Sequence, residues 1–160
     1  MEVNGGIFHF DILKLSEAMN LTQDEVRAYF TDGRRISFIL ERRIAREILP
    51  EGKLAKSEGA SYDVVDKHGG KWEVRSLTQG GIYFCPSYMV GSGRAFNEPG
   101  FLSKLNQISG YIVSDITEFP NVPVWIIEQE TVNRWYVDGK LGRNTKISRD
   151  TALRLIREAK

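Results

Sequence analysis

Hydrophobic positions in the first fifty residues recur at helical spacing, whereas from Ser61 onward they gather into short strand-like runs. The spacing predicts a short amphipathic helix over Asp11 to Met19. Thr22, with Glu25 three residues on, forms a capping box that opens a second helix running to about Phe30. A third helix is expected from Arg34 to Leu49, with Ile36, Ile39, Leu40, Ile44 and Ile48 on its apolar face and Pro50 ending it. All of this part reads as helical.

Beyond Ser61 the segment Tyr62 to Leu77 reads as a tight hairpin turning at His68-Gly69-Gly70, because glycine accepts the positive φ that such turns need. Gly81 to Phe84 is expected to be a strand, followed by a loop from Cys85 to Pro99. Phe101, Leu102, Leu105 and Ile108 predict a helix stopped by Gly110. Tyr111 to Ile116 and Val124 to Ile127 are compact apolar runs suited to central strands. Arg134 to Val137 is expected to be a further strand before the Asp138-Gly139 turn, and Ser148 to cap a last helix from Arg149 to Glu158. Helices, then a mainly antiparallel sheet, then helices give an α+β class. The 160 residues suit a single domain, 1–160.

Composition narrows the function classes. No apolar run approaches the roughly 20 residues of a membrane span, and residues 1–10 lack the pattern of a signal peptide. The single cysteine, Cys85, excludes an internal disulfide and fits a cytoplasmic protein. With only His9 and His68 beside it, a usual zinc site cannot be assembled. A net charge of +1 means that any cationic surface must be local.

The hairpin holds the candidate chemistry. Side chains alternate along a strand, so Lys71, Glu73 and Arg75 share one face of the second strand, and Asp63 on the first can approach Glu73. Two converging carboxylates repel unless a cation lies between them, and hard oxygen ligands suit Mg²⁺. Such an ion polarises a phosphoryl oxygen and acidifies a bound water. Solvated cross-strand charge pairs are the alternative. Asp66 reads as a turn residue.

The order Asp63, Val65-Asp66, a glycine turn, Trp72, Glu73, Arg75, Ser76 resembles the PD-(D/E)xK signature of restriction endonuclease-like nucleases, small type II restriction enzymes in particular. Arg134 to Gly139 followed by Lys146-Ile147 also resembles the corresponding part of such enzymes. The resemblance implies a central mixed β-sheet flanked by helices, with an N-terminal helical region. It also implies Mg²⁺-dependent hydrolysis of double-stranded DNA, generally by a homodimer, with Asp63 and Glu73 as metal ligands. The family's usual lysine corresponds to Arg75. Arginine stabilises phosphoryl charge but stays protonated and cannot act as a base, so Lys71 is the other candidate cation. By its position in the preceding helix Glu41 resembles a further metal ligand, with Glu58 as its rival. The alternative for Glu41 is an exposed glutamate paired with arginines.

Two further regions are candidates for DNA contact. Arg34, Arg35, Arg42, Arg43 and Arg46 make a local cationic surface, read either as phosphate-binding or as a solvated helix face. The stretch Gln79 to Phe96 interleaves glycines and aromatics with Ser87, Tyr88, Ser92 and Arg94, and is read as a groove-contacting loop or as a self-packed surface loop. Cys85 is expected to be a buried small residue. Leu13 to Gly33 could also form a helix-turn-helix, which would suit a DNA-binding regulator without catalysis. A repair or mobile-element nuclease of the same fold is the enzyme alternative.

Overall fold

The computed structural model describes residues 3–57 and 60–159. Its elements in chain order are β1 (Gly6–His9), α1 (Ile12–Met19), α2 (Gln23–Phe30), α3 (Gly33–Arg43), β2 (Lys53–Leu54), β3 (Val64–Val65), β4 (Lys71–Leu77), β5 (Ile82–Tyr83), α4 (Glu98–Gln107), β6 (Gly110–Asp115), β7 (Asn121–Glu128), α5 (Gln129–Val137), β8 (Lys146–Ile147) and α6 (Arg149–Glu158). The fold is α+β. A six-stranded mixed sheet runs in the order β1-β7-β6-β4-β3-β2, and β5 pairs with β8 in a separate two-stranded sheet. Within the large sheet β4 and β6 are parallel and the other pairs antiparallel.

Each face of the sheet carries its own core, because alternate residues of each strand point to opposite sides. Val74 and Ile112 pack with Val26, Phe30, Ile36 and Leu40 from α2 and α3. Leu77, Tyr111 and Val113 pack with Phe101 and Leu105 of α4, Trp135 of α5 and Leu155 of α6. Covered on both sides, β6 is buried at every position, which explains the apolar run Tyr111–Val113 at its centre.

Local signals account for many of the boundaries. Thr22 and Glu25 make the reciprocal capping box. Asp32 accepts from the amides of Arg34 and Arg35 to open α3, and Ser148 caps α6. Past Arg43, α3 widens into a π turn over Ile44–Ile48, closed by Leu49 N–H donating to the Ile44 carbonyl. No helix among the described residues is long and apolar enough to cross a membrane.

Three expectations are corrected. The N-terminal fifty residues are not wholly helical, because Gly6–His9 is an edge strand paired with β7. Its partner lies more than a hundred residues away, and four residues carry too little periodicity to declare a strand. Arg134 to Val137 ends a helix instead of forming a strand. Its aromatic and β-branched residues favour strands locally, but Val132 and Trp135, at helical spacing, meet the core and decide the conformation. α4 ends at Gln107, before Gly110, which instead opens β6 opposite Glu128.

The hairpin forms around its glycine turn. Gly69 has φ 81°, and a Cβ on Gly70 would lie 2.3 Å from Asp66 Oδ2. Asp66 Oδ1 accepts from His68 N and Gly70 N, while Oδ2 accepts from Trp72 Nε1 at 2.9 Å. Asp66 is therefore a pin for the turn. Asp66→Ala removes these acceptors and leaves the buried indole N–H unpaired, an expected loss of about 1–3 kcal/mol that a shift of the urea midpoint would measure.

Candidate active site

The site lies beside the start of β3, where β4 runs on past it paired with β6, between α3 and the segment following β5. Asp63 immediately precedes β3, and its amide donates to the Trp72 carbonyl at 3.0 Å, carrying the ladder one residue further. This sets its Oδ2 to accept from Val74 N at 2.8 Å. Its carboxyl then meets that of Glu73 in a direct hydrogen bond. The sequence-based convergence of Asp63 on Glu73 is present in the fold.

Glu73 is 4% exposed. Its Oε2 accepts from Arg75 Nη1 at 2.8 Å, and its Oε1 is ion-paired with Lys104 Nζ from α4. Arg75 is further fixed: its Nη1 donates to the Val74 carbonyl at 3.2 Å and its Nη2 to the Cys85 carbonyl at 3.3 Å. Its guanidinium stands 5.1 Å from the centre of the Tyr83 ring. One buried donor of this side chain, Nε, has no hydrogen-bond partner.

Burial, together with the negative charge and hydrogen bond of Glu73, pushes the Asp63 carboxyl up to about 7. Burial alone would raise Glu73 too, but the charge of Arg75, the hydrogen bond from Asp63 and the contact with Lys104 hold it below its ordinary value. Near neutrality the two acids therefore share a proton, carried by Asp63. Glu41, half-buried on α3, is raised by burial and, less strongly, by the charge of Glu73.

A cleft of about 990 Å³ opens over this arrangement, lined by Arg34, Ser37 and Glu41 of α3 and by Ser87 and Arg94. Asp63, Arg75, Tyr83 and Lys146 also line it. A smaller hollow of about 380 Å³ adjoins it, sharing Ser37, Glu41 and Asp63 and adding Phe38 and Arg42. Glu41, Asp63, Arg75, Arg34, Ser87 and Arg94 are thus gathered on one cleft from four separate stretches of chain.

Other sequence candidates lie elsewhere. Lys71 is exposed, with its ammonium 5.4 Å from the Tyr62 ring centre, and is not part of the cleft lining. It begins β4 opposite Val65, ahead of the acidic pair, so the shared strand face does not bring it into the cleft. Arg35 turns to Asp32 and to the Tyr29 ring, 5.8 Å away. Arg42 lies over Phe38, 3.3 Å from its ring centre, in the smaller hollow. Arg43 is tied to Glu47 and the His9 carbonyl, a structural role. Tyr88 and Ser92 are exposed but do not line the cleft. Glu58 lies outside the described residues. Cys85 is buried, with its amide donating to Thr145 Oγ1 at 2.8 Å, as expected of a packing residue. No residue of α1 or α2 lines the cleft.

Lys104 is the main residue that sequence reading missed. It sits between the core residues Phe101 and Leu105 and reads as a solvated helix position until α4 is docked beside β4. Lys146 had a signal, since Lys146-Ile147 was part of the C-terminal resemblance, but no role attached to it.

The donor set fits Mg²⁺. Mg²⁺ retains several waters and is commonly held by one or two carboxylates, and Asp63 and Glu73 supply two on adjoining strands. Glu41 lines the same cleft as Asp63 and feels the charge of Glu73. Neither a family model nor a curated protein sequence matches this chain.

Proposed function

We propose that this protein is a Mg²⁺-dependent endonuclease that hydrolyses DNA phosphodiester bonds, and specifically a type II restriction enzyme of the restriction endonuclease-like fold. The observation that carries the reading is the hydrogen-bonded Asp63–Glu73 pair, held beside Arg75 at a cleft whose walls carry Arg34, Arg94 and Lys146. Two carboxylates, one buried and one half-buried, kept side by side are costly unless a proton or cation joins them. The cationic walls suit a polyanion. The mixed sheet flanked by helices agrees with what the resemblance implies, while the homodimer on a palindromic site rests on the resemblance itself.

Asp63 and Glu73 would hold the ion. When bound, it supplies a Lewis acid for a phosphoryl oxygen and a water of lowered pKa. Arg75 stays protonated and stabilises the charge that accumulates on the phosphoryl oxygens. Its unpartnered Nε is a donor left over by the fold. Arg34 and Arg94, both on the cleft lining, would position the backbone without reading sequence.

Incubating plasmid DNA with the purified protein, with and without Mg²⁺, tests the reading. Discrete fragments that require Mg²⁺ are expected. General degradation would instead favour a repair or mobile-element nuclease. Binding without cleavage would favour a helix-turn-helix regulator and remove the catalytic assignment.

A further inference from the structure

Both oxygens of Glu73 are engaged by cations of the chain itself, Oε2 by Arg75 and Oε1 by Lys104. A divalent ion that takes this carboxylate as a ligand must displace one of them or suffer the repulsion of both. The two are not equally held. Arg75 is tied to two backbone carbonyls besides Glu73 and lies beside the Tyr83 ring. Lys104 is 15% exposed, and among the described residues Glu73 is its ion-pair partner. Its ammonium is a compact, strongly hydrated charge on a flexible four-carbon stem. It can swing toward solvent with little disturbance of α4, whose hold on the core comes from Phe101 and Leu105.

We propose that Lys104 is a tethered counter-ion that competes with the divalent cation for Glu73: it neutralises the buried carboxylate and is released when the cation binds. The inference rests on the proposed cation site at Asp63 and Glu73 and names the chain's own competitor for it. Physically, the binding-competent carboxylate is only that fraction from which Lys104 has swung away, so the apparent cation affinity is lowered by that fraction. The contact also avoids an unpaired buried charge. Lys104 is thus a positioning residue that tunes cation demand, outside the reacting atoms.

Cation binding to the full-length protein without DNA provides the test. Free Mn²⁺ is followed by electron paramagnetic resonance during titration of the wild type, Lys104→Met and Lys71→Met. Lys104→Met is expected to bind Mn²⁺ on the order of tenfold more tightly, whereas Lys71→Met, which removes an equal charge that does not touch Glu73, should stay within about twofold. In the wild type, acetylation of Lys104 read by mass spectrometry should rise when Mg²⁺ is added, with Lys71 unchanged. This second measurement stands by itself if Lys104→Met does not fold. Unchanged or weaker Mn²⁺ binding by Lys104→Met, or Lys104 acetylation that does not rise with Mg²⁺, overturns the role of Lys104 and leaves the cation site in place. A wild-type protein that binds no Mn²⁺ at millimolar concentration overturns the site and this inference together.

Discussion

Replacing Glu73 with glutamine is expected to reduce the proposed Mg²⁺-dependent DNA cleavage on the order of a thousandfold, because the site loses one of its two carboxylates and the partner that orients Arg75. Alanine at the same position should behave differently. The carboxylate is buried between Arg75 and Lys104, so alanine leaves these cations without their partner, a loss of about 3–5 kcal/mol when a buried pair is broken from one side. Glutamine keeps the side-chain shape and one acceptor oxygen, so its stability cost should be smaller. A reading from sequence alone would expect alanine to spare the fold; burial of Glu73 reverses that expectation. Initial cleavage rates and urea midpoints of the two variants separate the effects. Wild-type cleavage by the glutamine variant would rule out Glu73 as a ligand.

The second large effect is a fall in stability as pH rises from about 4 to 7. Asp63 has its pKa raised to about 7 from an ordinary value of 3.8, first by burial and then by Glu73. The folded protein therefore holds this proton more tightly than the unfolded chain. The resulting stabilisation is full below the unfolded pKa and is lost as pH rises through the folded one, at up to about 1.4 kcal/mol per pH unit. Glu73 acts oppositely and in a lower window. Its folded pKa is depressed, so its contribution is present above its ordinary value of 4.5 and disappears as pH falls through the lowered one. Asparagine at position 63 retains an acceptor for Val74 N–H and a donor for Glu73 without a titrating proton. Asp63→Asn should flatten the decline and be more stable than the wild type at pH 8 by about 1–3 kcal/mol, while losing Mg²⁺ binding. Urea unfolding at pH 5, 6, 7 and 8 measures both proteins. Equal, flat profiles would mean that Asp63 does not hold the shared proton.

Much of the candidate site is legible in the chain because a hairpin is local. Alternation along β4 puts Glu73 and Arg75 on one face, and the glycine turn fixes the register that brings Asp63 alongside. What fails is any inference that treats a face as a place. Lys71 shares that alternation, yet it is exposed beside Tyr62, while Lys104 reaches Glu73 from α4. Arg34 and Arg35 are neighbours in sequence, but only Arg34 faces the cleft; Arg35 turns to Asp32 and Tyr29.

The capped helices α2 and α6, the largely apolar central strands β6 and β7, the hairpin and its acidic pair follow from local sequence. Each of these rests on periodicity, capping or turn chemistry within a few residues. Tertiary structure alone decided that Gly6–His9 is a strand, that Arg134 to Val137 is helical, and that Lys104 shares Glu73 with Arg75. The reason is common to all three. A short edge strand is stabilised by hydrogen bonds to a distant partner, a weak local preference yields to the side chains that reach the core, and an ion pair across elements depends on how a helix docks against the sheet.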